Sequence, residues 1–358
     1  MKALVYEGPG SKSWKDVPQP VLQQDTDVIV RVDATTICGT DLHILKGDVP
    51  ETPVGTILGH EAVGTVVAAG PAVSGRSVGD RVLVSCITAC GRCSYCLAGH
   101  QGQCQGGGGW ILGHTIDGTQ AEFVRVPFGD TSTHLLPESL FAKEAVMLSD
   151  IMPTSYEVGI RNGCVQPGDT VAIVGAGPIG LAAIASARLL SPSLIIVIDL
   201  AESRLEAAKH AGADITLTSQ GEDAVTEVRR LTENGLGVDV AIEAVGVPDT
   251  FELCTQLVRP GGHVANIGVH GHSATLHLES LWIRDVTITT GLVDTYSTPV
   301  LLRLLESRKL RTLPFISHHF SFDEMLEAYD TFGRPAETGA LKVVILRSAD
   351  PEEVKEEL

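Results

Sequence analysis

The chain has 358 residues, of which 44% are hydrophobic, and a formal net charge of −18 at pH 7. A chain of this length exceeds what one hydrophobic core usually supports, so two domains are expected. The excess of negative charge argues against nucleic acids and anionic membranes as partners, because both require a basic face on the protein.

The N-terminal portion is predicted to be rich in β-strands. The first residues, MKALVYEGPGSKSW, lack the layout of a secretion signal, so a cytoplasmic location is expected. Alternating runs separated by glycine and proline follow, namely DVIVRVDATTI, VGTVVAAG, DRVLVSC and TQAEFVRV.

Cys38, in TTICGTDLH, and His60, in ILGHEAVG, fall between the first two of these runs. A thiolate and an imidazole are typical ligands of a catalytic zinc ion, which keeps one position for water or substrate. Taken alone, a single cysteine or histidine is more often a packed core residue. The pair therefore indicates a metal site only in combination with other features.

Four of the eight cysteines lie together in CGRCSYCLAGHQGQC, with the spacing C-x2-C-x2-C-x7-C: Cys90, Cys93, Cys96 and Cys104. In a cytosolic chain such a cluster favours a metal over disulfides. Four thiolates around one ion leave no open position, which predicts a structural zinc site. An iron–sulfur cluster and a loop of reduced thiols are the alternatives.

The stretch TVAIVGAGPIGLAAIASA, residues 170–187, carries no charged residue over eighteen positions. Apolar length alone is compatible with a membrane span, but three glycines and a proline favour a strand, a tight turn and a helix. Such a turn binds a dinucleotide pyrophosphate at the helix N-terminus. The predicted cofactor-binding residues of the turn are Gly175, Gly177, Pro178, Ile179 and Gly180.

Asp199 ends the run LIIVID, nineteen residues after Gly180. A carboxylate here accepts hydrogen bonds from the ribose hydroxyls of NAD and repels the 2′-phosphate of NADP, so NAD is the predicted cofactor. Arg204 is an argument for NADP instead, since it could bind a phosphate. It could equally cover the adenine or lie on a solvated helix face.

Strand and helix patterns continue to alternate through DITLTS, EDAVTEVRRLT, VDVAIEAVG, FELCTQLV, GHVANIGV and VTITTGLV. This repetition predicts an α/β fold with a doubly wound parallel sheet over residues 153–294. Gly246, Gly268 and Gly291 follow three of the strands, at the carboxyl ends where a cofactor is expected.

Together these features resemble the zinc-dependent medium-chain alcohol dehydrogenases of the medium-chain dehydrogenase/reductase superfamily. The matching segments follow the family order over essentially the whole chain: CGTDLH, GHEAVGTV, VGDRV, the four-cysteine lobe, GAGPIG and Asp199. The resemblance implies a GroES-like β-rich catalytic domain at 1–152 and 295–358, with the zinc lobe at about 86–110, and a Rossmann NAD-binding domain at 153–294. The acidic end, SADPEEVKEEL, is expected to be a solvated tail.

The resemblance also implies the ligands of the catalytic zinc. Cys38 and His60 match two of them, and Asp150, in SDIMPTSY, matches the aspartate of tetrameric secondary-alcohol members. Cys164 is the alternative third ligand. Glu61 resembles a glutamate that either enters the coordination sphere or stays outside it.

A proton released from the alcohol needs a path out of the pocket, and a hydroxyl followed by an imidazole provides one. Thr40 and His43 are the predicted relay, and hydride would pass to C4 of the nicotinamide. Thr40 could instead cap a helix that starts near Asp41, which is interpreted as structural.

Further contacts are expected from the family pattern alone. Backbone near Gly268 and Gly291 would hold the nicotinamide carboxamide, and Val269 is a further expected cofactor-binding residue. Three residues would line the substrate pocket: Cys86, Ile87 and Trp110. Trp110 has a core position between domains as its alternative.

The resulting hypothesis is an NAD-dependent enzyme with two zinc ions per subunit, which interconverts alcohols, secondary ones in particular, with ketones or aldehydes. Polyol and formaldehyde dehydrogenases on the same scaffold are alternatives, although polyol enzymes often lack the four-cysteine lobe. A nucleotide-binding protein without catalysis is the alternative from another class. Similar bacterial enzymes predict a homotetramer, with a homodimer as the alternative.

Overall fold

The computed structural model describes residues 1–347, and the predicted acidic tail lies outside the described residues. The chain divides into two compact units, one made of Met1–Asp150 and the residues from Asp294 onward, the other of Ile151–Val293.

Strands and helices are numbered in chain order. The strands are β1 (Lys2–Gly8), β2 (Ser11–Asp16), β3 (Val28–Thr36), β4 (Ala62–Ala69), β5 (Arg81–Val84), β6 (Phe123–Val126), β7 (Thr133–Leu135), β8 (Thr170–Val174), β9 (Leu194–Ile198), β10 (Ile215–Leu217), β11 (Val238–Glu243), β12 (Val258–Asn266), β13 (Thr287–Thr290), β14 (Ile316–Ser321) and β15 (Lys342–Leu346). The α-helices are α1 (Gly39–Lys46), α2 (Ser94–Leu97), α3 (Gly129–Ser132), α4 (Ala142–Ala145), α5 (Ile151–Thr154), α6 (Pro178–Arg188), α7 (Glu202–Ala211), α8 (Gly221–Leu231), α9 (Pro248–Leu257), α10 (Leu278–Leu281), α11 (Thr298–Glu306), α12 (Met325–Phe332) and α13 (Pro335–Thr338). A π-helical stretch, Ser155–Arg161, continues α5.

The first unit is built on β-structure, as its alternating runs predict. β1 and β2 form an antiparallel pair, and a larger sheet has the order β14-β15-β3-β4-β5-β7, with β6 also paired to β3. Alternate residues of β3, Val28, Val30 and Val32, are fully buried in the main core of this unit. The period of two places one face of the strand in that core.

The second unit contains a six-stranded parallel sheet in the order β10-β9-β8-β11-β12-β13. The runs TVAIV and LIIVI form its central strands β8 and β9, and their side chains are almost entirely buried, as expected for a parallel sheet covered on both faces. The strand order changes direction between β8 and β11, which is where open α/β sheets bind their ligands.

The apolar stretch 170–187 forms β8, a turn and the first ten residues of α6, which confirms the strand-turn-helix prediction. Across residues 1–347, none of the helices combines the length and the apolar character that a membrane crossing requires.

Candidate active site and metal centres

The four clustered cysteines converge on one point of the first unit. Ligand atoms of Cys90, Cys93, Cys96 and Cys104 all lie within 4.8 Å of one another. Backbone N–H groups point at three of the sulfurs at 3.4–3.5 Å, namely those of Cys90, Cys93 and Cys104. A Cβ at Gly106, the first residue of the run GGGG at 106–109, would lie 2.5 Å from Cys90 Sγ, so only glycine fits at this position beside the cluster.

The electrostatics of this cluster suit a cation. Backbone hydrogen bonds from Cys96 and Gln105 lower the pKa of Cys93 to about 6, which favours the thiolate. Burial and the neighbouring Cys93 raise the pKa of Cys96 to about 12. Without a cation, the Cys96 thiol would therefore keep its proton. Four sulfur donors with no other ligand type fit a closed, tetrahedral zinc site.

A second group of donors brings together Cys38, His60, Glu61 and Asp150, whose ligand atoms also lie within 4.8 Å of one another. Asp150 Oδ2 lies 3.7 Å from Cys38 Sγ and 3.4 Å from His60 Nε2. Ligands bound at about 2.0–2.3 Å to a tetrahedral zinc ion lie about 3.3–3.8 Å apart, so the spacing fits this metal. Cys164, the alternative ligand, is an exposed residue of the second unit and is not in the group.

The sequence positions these donors at the ends of elements. Cys38 is the N-cap residue of α1, Glu61 immediately precedes β4, and Asp150 immediately precedes α5. The alternative role of Thr40 as a helix cap is wrong, because Cys38 occupies that position and Thr40 lies inside the first turn. The Thr40 hydroxyl lies 3.6 Å from Cys38 Sγ, beside the donor group.

Asp41, interpreted as structural, supports the donor group from behind. It is buried, and its Oδ2 accepts hydrogen bonds from the Cys38 backbone N–H at 2.9 Å and from Gln120 Nε2 at 3.0 Å. Its Oδ1 lies 3.7 Å from Nδ1 of His60. The carboxylate thus lies beside the ring nitrogen of His60 that points away from the donors, and its Oδ1 makes no hydrogen bond within residues 1–347.

Lys342 is a further residue that the sequence analysis missed. Its Nζ lies 2.5 Å from Glu61 Oε1, and both side chains are 1% exposed. Burial opposes the charge on Lys342, but the Glu61 carboxylate raises the pKa of the ammonium above its ordinary value. Oε2 of Glu61 is buried and has no hydrogen-bond partner within residues 1–347, which leaves an acceptor available to a cation.

His60 reports the charge of the whole group. Burial by itself would lower the pKa of His60, whereas hydrogen bonds to Asp150 and Cys38 and the charge of Asp41 raise it well above its ordinary value. A proton is therefore stabilised where anionic donors converge. A divalent cation would satisfy the same donors more fully.

His43 lies on α1 three residues after Thr40, so the two residues share one helix face. Its Nδ1 lies 2.9 Å from Asp48 Oδ2. The predicted relay residues are therefore neighbours in the fold, with Thr40 beside the donor group.

Three predicted pocket residues occupy different environments. Cys86 is buried, with its Sγ 3.6 Å from Asp150 Oδ1, and burial together with that carboxylate raises the pKa of its thiol. Ile87, the next residue in the sequence, is also buried. Trp110 is half-buried, packs against the main core of the first unit and stacks on His114 with ring centroids 4.1 Å apart.

The predicted cofactor turn joins β8 to α6 in the second unit. Gly177 is the N-cap residue of α6, and Pro178 is its first residue. A Cβ at Gly180 would lie 2.0 Å from the carbonyl oxygen of Gly175, so glycine is required for this close approach. A helix N-terminus after such a turn is a place that favours a phosphate.

Asp199 follows β9 and faces this turn. Its Oδ2 accepts a hydrogen bond from the backbone N–H of Ala176 at 2.7 Å, and its Oδ1 accepts one from Ala201 at 2.8 Å. Arg204 Nη1 lies 3.9 Å from Asp199 Oδ2, on the same side of the sheet end. The other predicted cofactor residues follow the carboxyl ends of β12 and β13: Gly268, Val269 and Gly291.

Comparisons with known proteins agree with this arrangement. Two family models match, an alcohol dehydrogenase GroES-like domain over residues 24–138 and a zinc-binding dehydrogenase over residues 178–307. An alcohol dehydrogenase of Cupriavidus necator is 37% identical over 364 residues, covering 96% of this chain and 98% of the relative. The solved apo form of zinc dependent alcohol dehydrogenase 2 from Streptococcus pneumonia is 47% identical, with a TM-score of 0.92 and coverage of 97% of this chain and 98% of that one.

A glutathione-independent formaldehyde dehydrogenase of Pseudomonas aeruginosa is 39% identical over 272 residues, covering 68% of this chain and 65% of the relative. The predicted α/β fold, GroES-like with a Rossmann-type parallel sheet, is confirmed by the family models and the solved structure. The chain belongs to the zinc-dependent medium-chain alcohol dehydrogenases.

Proposed function

We propose that the protein is a zinc- and NAD-dependent oxidoreductase that interconverts alcohols, secondary ones in particular, with the corresponding carbonyl compounds. The observation that carries the proposal is the mixed donor group of Cys38, His60 and Asp150 with the Thr40 hydroxyl beside it. Three protein ligands of sulfur, nitrogen and oxygen leave one position of a tetrahedral ion for substrate, as catalytic zinc sites require.

Zinc at these donors would act as a Lewis acid that lowers the pKa of an alcohol, and a nicotinamide would accept the hydride. The protein has three tasks in this reaction. Cys38, His60 and Asp150 fix the position of the metal, and Asp41 places a carboxylate beside Nδ1 of His60. Thr40 binds the substrate hydroxyl, and His43 takes the proton onward to solvent.

NAD is the proposed nicotinamide cofactor because Asp199 places a carboxylate at the end of β9 beside the glycine turn. This charge would repel the 2′-phosphate of NADP. Arg204 favours NADP, because its guanidinium could bind the 2′-phosphate. However, this guanidinium lies 3.9 Å from Asp199, whose carboxylate partly neutralises it.

A preference for secondary alcohols rests on Asp150 as the third ligand and on Cys86, Ile87 and Trp110 as pocket walls. Formaldehyde oxidation is a second candidate, supported by the Pseudomonas aeruginosa relative. The cysteine cluster is proposed to hold a second, structural zinc. The oligomeric state stays a prediction, a homotetramer with a homodimer as the alternative, and light scattering tests it. The cytoplasmic location also stays a prediction.

The test is the initial rate of NADH and NADPH formation by the zinc-loaded protein with ethanol, 2-butanol, benzyl alcohol, sorbitol and formaldehyde. The proposal expects turnover fastest with 2-butanol and NAD. A Cys38→Ser variant should lose turnover and keep NAD binding, measured by fluorescence titration. Equal activity of this variant and the parent would refute the assigned site, whereas NAD binding without turnover of any compound would leave a binding protein.

A further inference from the structure

Asp48 lies just beyond α1, at a turn that brings it back to the helix. Gly47, the C-cap residue, has a φ of 86°, and its backbone N–H donates to Ile44 O at 3.0 Å. The Asp48 N–H donates to His43 O at 3.0 Å. This left-handed end is a common way to close a helix, and here it places the Asp48 carboxylate 2.9 Å from His43 Nδ1.

The hydrogen bond determines which ring nitrogen carries hydrogen. An ionised carboxylate only accepts, so Nδ1 of His43 must be the donor, and the lone pair of the neutral ring is then on Nε2. We propose that Asp48 is a positioning residue that fixes the tautomer and orientation of His43 and makes Nε2 the atom that receives the substrate proton. This inference rests on the proposed function, in which His43 ends the relay.

The proton transfer balances without any further reactant. The substrate O–H bond breaks, the Thr40 hydroxyl accepts that proton and releases its own, and a new N–H bond forms at Nε2 of His43. His43 becomes an imidazolium with Nδ1–H retained, and the adjacent Asp48 carboxylate stabilises its charge. Loss of the Nε2 proton to water restores the neutral ring, and the reverse sequence serves carbonyl reduction.

The expected effect is moderate, because the His43 and Asp48 side chains are 31% and 46% exposed and water screens their charges. Residues that orient metal-binding histidines commonly contribute about 10- to 100-fold, and a similar scale applies to His43. The lower end is expected here. Asp48→Ala should therefore reduce kcat about tenfold and leave the KM for NAD within about twofold.

The test compares Asp48→Ala, Asp48→Asn, His43→Gln and the double variants of the full-length, zinc-loaded protein. The assay uses 2-butanol, or whichever alcohol of the panel reacts fastest, with NAD. Asp48→Asn should lose less kcat than Asp48→Ala, because its amide oxygen can still accept the Nδ1 hydrogen but carries no charge that stabilises the imidazolium. Asp16→Ala, which removes an exposed carboxylate paired with Lys2, is the matched control and should leave kcat unchanged.

In the His43→Gln background, loss of the Asp48 carboxylate should change kcat by less than about twofold, because residues that act through one another are not additive. Equal losses in both backgrounds would show a general structural role and overturn the inference. It is also overturned if Asp48→Ala retains full kcat while His43→Gln is slow, an outcome that leaves the relay itself intact. If His43→Gln turns over at the parent rate, the relay of the proposed function fails, and the role of Asp48 fails with it.

Discussion

Replacement of Lys342 by methionine should destabilise the protein strongly at neutral pH. At 2.5 Å, two unit charges attract by about 6–7 kcal/mol at an effective dielectric constant near 20. Removal of water from both groups offsets much of this attraction. Loss of one partner leaves the other charge buried and unpaired, and such losses cost about 3–5 kcal/mol. The variant should lose this amount of its free energy of unfolding.

The pH dependence of this loss has a definite sign. Burial already raises the pKa of Glu61, and removal of the ammonium raises it further. In the variant the folded protein then binds a proton at Glu61 that the unfolded chain has already released, so stability falls as the pH rises. The penalty should be largest above the raised pKa and should shrink as the pH falls through it.

Urea unfolding at pH 7.5 and pH 5, on zinc-free and zinc-loaded protein, measures the effect. Lys2→Met is the matched control, because Lys2 pairs with Asp16 at 3.0 Å but the two side chains are 44% and 78% exposed. Its cost should stay below about 1 kcal/mol. A Lys342→Met/Glu61→Gln double variant should recover part of the loss. A Lys342→Met cost no larger than the Lys2→Met cost would refute the reasoning.

Three further outcomes are expected. Cys93→Ser should lower the zinc content by one ion per chain in elemental analysis, whereas Cys164→Ser should leave it unchanged, because that exposed thiol lies outside both donor groups. Asp199→Ser should reduce the ratio of kcat/KM with NAD to that with NADP by about tenfold or more, since the charge that repels the 2′-phosphate is removed. Burial lowers the pKa of His134 from 6.5 to about 4. The unfolded chain therefore protonates first, stability falls as the pH drops from about 6.5 to about 4, and His134→Gln should show a smaller loss in urea unfolding at pH 5.

The fold was predictable because its signals are local. The runs TVAIV and LIIVI carry their own strand preference, and the glycine motif that joins β8 to α6, GAGPIG, spans only six residues. The four-cysteine group was predictable for the same reason, since its donors lie within fifteen positions of one another. Their spacing alone was enough to predict that these sulfurs meet, because no distant segment of the chain is needed.

The contacts that Lys342 and Asp41 make with the mixed donor group of Cys38, His60, Glu61 and Asp150 could not be predicted in this way. Lys342 lies 281 positions after Glu61 and reaches it only because β15 pairs with β3 and β3 with β4. Asp41 is close to Cys38 in sequence, but its role depends on His60 and Gln120, which arrive from other segments. A charged residue at the start of a buried strand, as in LKVVIL, was the one signal available for Lys342.

Lys342 and the N–H groups around Asp41 explain how the fold tolerates so much negative charge at the buried mixed donor group. Cys38, Glu61 and Asp150 can each carry a negative charge, with Asp41 directly behind them. Lys342 compensates one charge permanently, while backbone and amide N–H groups stabilise Asp41. The charges that remain raise the pKa of His60, so they favour a proton at the place that suits a cation. Proton and metal therefore compete for the same donors, while the ammonium of Lys342 offsets part of the effect by which burial raises the pKa of Glu61.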